Sequence, residues 1–390
     1  LQRGYKFGCS QYHAKNFLYE VVMTSSLCLK LHDDRALYVA SSDKNKSESN
    51  IELLPDSILL EVFNKLPFVS LCVAGRVCKR WHRVSRDKSV RRIVDLTSMS
   101  LPLAKVQSLI HHQLCSQVQQ LYLRGFVRSF YSGRTQWKTR TITSKTLSLL
   151  QRQCPSLEVL SLHHVFLATS TVSTCLSVKH FPPTLKQLSL RGCFFHPTEF
   201  FKSDPSTALP LLQVLDVAKC LLLSSHDLLR FANWTSLQVL CVEACHRIND
   251  GGIENLEPIL EGLRVVDIEG TDISDRGVTT LLTQCPRLES LFAGHTALTG
   301  AAFVELGLSQ RLCLKKVCLM RTAVSEDALV ALAAVAPHLT SLVGSGPKMS
   351  GATVQKLRAR LPCCSTLHFE GFAMGKDRCC GHMESVSCVL

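Results

Sequence analysis

The sequence predicts an α/β chain in which a small helical module precedes a repetitive solenoid, with a curved parallel sheet inside and helices outside. Two observations carry this. From residue 110 onward an L-x-x-L-x-L element returns at nearly constant intervals, and periodicity of this kind marks stacked repeats. Ahead of it, residues 51–96 show helix-type apolar spacing broken by proline and glycine, which predicts two or three short helices.

Residues 1–50 show no sustained period, and Asp43 to Asn50 is a polar run of the disordered type. This stretch is expected to be a disordered extension, and no function is assigned to it. Its apolar run, Val21 to Leu29, is followed by no small-residue cleavage pattern, so a signal peptide is not expected.

The module opens on Leu54-Pro55. Proline suits a first helical position, since its ring presets φ and its missing N–H has no helical partner there. Asp56 falls in the first turn, where a carboxylate favours the positive end of the helix dipole. Ile58, Leu59, Val62, Phe63 and Leu66 make one broad apolar face. Pro67 breaks the pattern, Val69 to Ala74 resumes it, and after Gly75 the residues Val77, Trp81 and Val84 recur at helical spacing. A unit of this size is marginal alone. It leans either on the repeats, as a cap, or on another protein, as a docking module.

The repeat element runs through Val118/Leu121/Leu123, Leu157/Leu160/Leu162, Leu185/Leu188/Leu190, Leu212/Leu215/Val217 and Leu237/Leu240/Val242. It continues through Leu263/Val266/Ile268, Leu288/Leu291/Ala293, Leu314/Val317/Leu319 and Leu339/Leu342/Gly344 to a degenerate Cys364/Leu367/Phe369. After a first interval of 39 residues the spacing settles to 25–28. Cys193, Cys220, Cys245, Thr271, Thr296 and Thr322 follow the strands, and Asn249, Ser274, Thr299, Ser325 and Ser350 stand where helix N-caps belong. Each repeat is therefore one strand plus one helix, spanning residues 110–370, with 371–390 as a tail. The long first interval holds a basic, aromatic insert from Val127 to Lys145 with Phe130, Tyr131 and Trp137. Such loops can stack on single strands of nucleic acid, but a protein-binding insert is preferred.

Composition narrows the function. The chain is 46% hydrophobic, enough for a large core, yet has no apolar run of about 18 residues, so no membrane span is expected. Nineteen cysteines spread through apolar patterns read as reduced thiols, which places the protein in the cytoplasm or nucleus. The net charge of +13 gathers in Arg76 to Arg92 and Arg124 to Lys145, and is read as a solvated basic face rather than a nucleic-acid site. No hydrolase, nucleotide-binding or zinc-protease motif occurs. Cys363, Cys364, His368, Cys379, Cys380 and His382 lie in adjacent pairs poorly spaced for zinc, and Cys388 is misplaced for prenylation. No catalytic residue, metal or cofactor is expected.

What remains is surface. Alternate strand side chains face opposite ways, so two rows point out from the concave sheet. Their expected binding residues are Tyr122, Arg124, His163, Arg191, Asp216, Glu243, Asp267, Glu269, Phe292 and Met320. The rows read basic, then acidic, then apolar, with Phe292 or Met320 as an anchor for a protein partner.

Leu54-Pro55, Ile58, Leu59, Val62, Leu66, Leu71, Val77-Cys78-Lys79, Arg80 and Trp81 resemble the F-box, the helical module that binds the Skp-type adaptor of cullin–RING ubiquitin ligases. Where many F-boxes carry a second Trp, this chain has Arg91. The repeats resemble leucine-rich repeats, so the whole is similar to the F-box/leucine-rich-repeat family. That resemblance implies a non-catalytic substrate receptor of an SCF-type ligase. It implies adaptor contacts at Leu54, Pro55, Ile58, Leu59, Val62, Phe63, Leu66, Leu71, Val77, Cys78 and Trp81, and a protein substrate on the concave face. The competing readings are a leucine-rich-repeat scaffold without a ligase role and, more remotely, a nucleic-acid binder.

Overall fold

A computed structural model describes residues 53–126, 141–167, 176–307, 311–344, 349–369 and 372–374. The expected N-terminal extension, most of the basic insert and all of the C-terminal tail except residues 372–374 lie outside these described residues.

The described strands form one sheet in strict chain order. They are β1 (Ile93–Ser100), β2 (Gln120–Arg124), β3 (Val159–His163), β4 (Gln187–Ser189), β5 (Val214–Asp216) and β6 (Val239–Cys241). There follow β7 (Val265–Asp267), β8 (Ser290–Phe292), β9 (Lys316–Leu319), β10 (Ser341–Gly344), β11 (Thr366–Phe369) and β12 (Phe372–Met374). β1 to β11 are parallel, and β12 turns back antiparallel onto β11. The register is that of the repeat: Val94, Leu121, Leu160, Leu188, Leu215, Leu240, Val266 and Leu291 pair in succession across neighbouring strands. All eight are essentially sealed from solvent and belong to one continuous core.

The sheet begins one strand before the first sequence repeat. β1 carries Val94 and Leu96 inward, but the residue at the leading leucine position is Arg91. A charged residue at a core position hides the repeat from any pattern of leucines.

The helices are less regular than one per repeat. Ten-residue helices span Leu103–His112, Ser144–Gln153, Asp275–Gln284, Glu326–Val335 and Gly351–Arg360. Between Val178 and Leu260 the returns shrink to turns of three to five residues, with Pro197, Pro205 and Pro258 in them. Each proline stands at the first or second position of its turn, where a missing N–H is tolerated. Bulk replaces helix there: Phe181, Phe195, Phe200, Phe201, Phe231 and Trp234 pack tilted or edge to face with ring centroids 4.6–6.1 Å apart, a favoured aromatic geometry.

The Cys/Thr row seals the strand ends. Cys193, Cys220 and Cys245 donate to the carbonyls of Leu162, Leu190 and Val217 in the preceding repeat. Thr271, Thr296 and Thr322 turn to Ile268, Ala293 and Leu319 in their own repeats. Burial pushes all three thiols up, Cys245 to about 12, so they remain protonated donors.

Ser274, Ser325 and Ser350 cap their helices with side-chain acceptors. Asn249 holds the cap position with its side chain turned to Ser225. Thr299 stands one place early: Gly300 takes the cap at φ +91°, where a Cβ would come within 2.5 Å of Ala328 Cβ. Caps also come from the repeat before. Asp250 accepts from Ser274 N at 2.8 Å, Asp275 from Gly300 N at 2.9 Å and Glu326 from Ser350 N at 2.8 Å. These carboxylates satisfy orphan helix donors and stitch adjacent repeats together.

The N-terminal module is three helices, α1 (Asp56–Asn64), α2 (Phe68–Ala74) and α3 (Lys79–Ser85). Pro55 takes the cap position, so Asp56 is the first helical residue. Leu59, Val62, Phe63, Leu71, Ala74, Val77, Trp81 and Val84 form a core of their own, with Trp81 edge-on to Phe63 at 5.5 Å. α2 faces two ways. Leu71 and Ala74 serve the module, while Phe68 is part of the solenoid core and Val69 and Cys72 pack against it. This supplies the support that so small a unit needs.

Candidate functional site

Two surfaces hold the residues singled out in the sequence. On the module, the expected contact residues divide. Leu59, Val62, Phe63, Leu71, Val77 and Trp81 are buried among themselves and shape the surface from beneath. Leu54, Ile58 and Leu66 are half-buried, while Pro55 and Cys78 are exposed. Leu53, which the sequence reading passed over, is 81% exposed beside them. The opening is fixed from α3: Arg80 donates to the Leu54 carbonyl and, at 2.7 Å, to Asp56, which also accepts from Arg83. The Arg80 guanidinium holds the Asp56 carboxyl below its usual range, with burial opposing and Arg83 adding to the effect. A motif that looks like separate LP and KRW signals is thus one ionic clasp.

Arg91 joins module to solenoid. Only 5% exposed, it donates from Nε to the Ser85 carbonyl (2.8 Å) and from Nη1 to the Gln113 carbonyl (2.7 Å). Its guanidinium carbon also lies 5.7 Å from the centroid of the Phe68 ring, within cation–π range. Ser85 ends α3 and Gln113 caps the first solenoid helix, so one side chain ties the two units.

On the concave face the sequence rows come together, but their charges are partly spent on each other. Arg191 Nε meets Asp216 at 3.2 Å and its Nη1 meets Glu243 at 2.5 Å; Lys219 reaches Glu243 at 3.0 Å. Ser189 Oγ and the Ala218 amide complete Asp216, which is 2% exposed. Burial works against the charge on Arg191, yet Asp216, Cys241 and Glu243 hold it more firmly protonated than usual. Burial likewise raises Glu243, and Arg191 with Lys219 overcomes it.

One repeat further, Asp267 meets no such cation among the described residues. It accepts from Cys241 Sγ at 3.3 Å and from the Glu269 amide. Burial, with Glu243 and Glu269 close by, pushes its carboxyl up to about 7. Glu269 is also raised by burial and by Glu243, and it lines a pocket of about 500 Å³ with Glu243, Asp272, His246 and His295. Cys241, Glu243 and Asp267 place donor atoms within 4.8 Å of one another, but Arg191 already contacts Cys241 and Glu243, so a cation fits this set poorly. Phe292 is half-buried and packs against a small apolar cluster that includes Cys241 and Val265, and Met320 is half-exposed. Tyr122 lies beside Gln120, and Arg124 is exposed.

The fold defines a class: a leucine-rich-repeat solenoid with an F-box-like module at its N-terminal end, and residues 51–97 match the F-box-like family model. The chain as a whole is similar to F-box/LRR-repeat protein 12. The Homo sapiens protein is 24% identical over 321 residues, 80% of this chain and 94% of that one. The Mus musculus protein is 24% identical over 318 residues, covering 80% and 93%. Among solved structures, the yeast Rad7 and Elc1 complex is 14% identical with a TM-score of 0.48, over 91% of this chain and 89% of that one. An internalin from Listeria monocytogenes, also 14% identical, gives 0.41 over 73% and 68%.

Proposed function

We propose that the protein is a substrate receptor of an SCF-type cullin–RING ubiquitin ligase, docking a Skp-type adaptor through its F-box-like module and a protein substrate through its solenoid. The observation that carries this reading is the division of the module. Its inner apolar residues are consumed in packing, while Leu53, Leu54, Pro55, Ile58, Leu66 and Cys78 stay at least partly open at its surface. A pure cap has no use for that surplus, whereas a partner does. The receptor performs no acid–base step; it raises the effective concentration of substrate lysines near the ubiquitin carrier.

Co-expression with a Skp-type adaptor tests this. The wild-type chain is expected to co-purify in a stoichiometric complex, and Leu54→Ala with Pro55→Ala to lose the adaptor while its thermal unfolding midpoint stays within a few degrees. A folded wild-type chain that captures no adaptor would contradict the proposal and favour a repeat scaffold without a ligase role.

A further inference from the structure

Most charged side chains on the middle of the concave face have found an opposite charge: Arg191 and Lys219 on Glu243, Arg191 on Asp216, His295 4.0 Å from Glu269. The N-terminal end differs. Arg124 and His163 are register partners on β2 and β3. Arg124 is exposed and, among the described residues, its side chain makes no ion pair or hydrogen bond. His163 holds Ser161 Oγ through Nε2 at 2.9 Å, and among the described residues its other nitrogen has no hydrogen-bond partner. His164 stands in the left-handed region at φ +53° and lays its ring over Gly192, where a Cβ would lie 2.5 Å from Nδ1. Among the described residues neither imidazole has a carboxylate within hydrogen-bond distance.

Resting on the receptor reading above, we propose that Arg124, His163 and His164 receive an oxyanion carried by the bound protein, either a phosphorylated side chain or a carboxylate of an acidic segment. The chemistry fits nitrogen-bearing side chains at adjoining positions, Arg124 in register with His163 and His164 next along the chain, one a permanent cation and two convertible to cations. Charges facing the two rings come from every side. His163 senses Asp216, Arg191, Asp95 and Arg124, and His164 senses Arg124, His163, Lys219 and Arg191. Asp216 is bonded to Arg191 and Ser189, and Asp95 to Thr97, so these anions are already engaged. Burial, with neighbouring cations contributing, keeps both imidazoles below their usual value. An arriving oxyanion reverses that balance and draws a proton onto them.

Histidine-ring NMR of the full chain, with no adaptor present, tests the site, using inorganic phosphate against chloride at matched ionic strength. The titration midpoints of His163 and His164 are expected to rise by about one unit, and Arg124→Gln to abolish the rise. Unchanged midpoints, or the same rise in Arg124→Gln, overturn the proposal. Acetylated phosphoserine amide and acetylated glutamate amide then separate the sources. A rise with the first alone assigns phosphate, a rise with both admits carboxylate, and either result upholds the oxyanion site. Because the readout needs no adaptor, loss of adaptor binding would bear on the ligase role and leave this result standing.

Discussion

Two arginines withdrawn from solvent, the buried Arg91 at the joint and the half-buried Arg191 on the concave face, solve the same problem in different ways. Arg91 is 5% exposed and answered by carbonyls and a phenyl ring; burial lowers its pKa. Arg191 is answered by two carboxylates, and its side chain keeps 17% exposure. Neutral acceptors leave the buried charge without a counter-ion but are themselves left uncharged when the arginine goes. Carboxylates bind the charge tightly and are stranded when it goes. The joint is therefore held by geometry, the concave centre by electrostatics.

Removing each arginine separates the two cases. Arg191→Met strands Asp216 in a buried position and is expected to cost about 3–5 kcal/mol in urea unfolding. Adding Asp216→Asn should restore a substantial part of it, and additive losses would break the comparison. Arg91→Met keeps the apolar stem and leaves only carbonyls without donors, so about 1–3 kcal/mol is expected. Its distinguishing sign is local: amide exchange should quicken in α3 and at Gln113 while β4 to β10 stay protected. Asp267 tests the acidic side through pH. A carboxyl with a folded-state pKa of about 7 against 3.8 binds its proton more tightly in the folded chain, so stability falls as pH rises between those values. Asp267→Asn should flatten that decline and leave the variant more stable than wild type at pH 8, as thermal melts across pH would show.

The same contrast explains what could be read from the sequence. Leucines at a fixed period gave strands, register and core, because a parallel stack places identical positions side by side. The helix caps at Ser274, Ser325 and Ser350 were equally visible. Arg91 hid β1, since a cation at a leucine position becomes intelligible only when Ser85 and Gln113, 6 and 22 residues away, are brought around it. Asp216, Cys241, Asp267 and Phe292 fall in register along one row, but charge pairing across 25 and 52 residues, Arg191 to Asp216 and to Glu243, is a property of the folded sheet. Burial likewise divided the module's apolar residues into those that pack, such as Phe63, and those left open, such as Leu53, a distinction that helical spacing alone does not draw.

The most direct measurement of the central claim is hydrogen exchange of the full chain with and without a Skp-type adaptor. The account predicts new protection confined to the module, centred on residues 53–66 and α3, with the concave strands β2 to β10 unchanged and free for a substrate. Protection on the concave strands instead, or none anywhere, would contradict it.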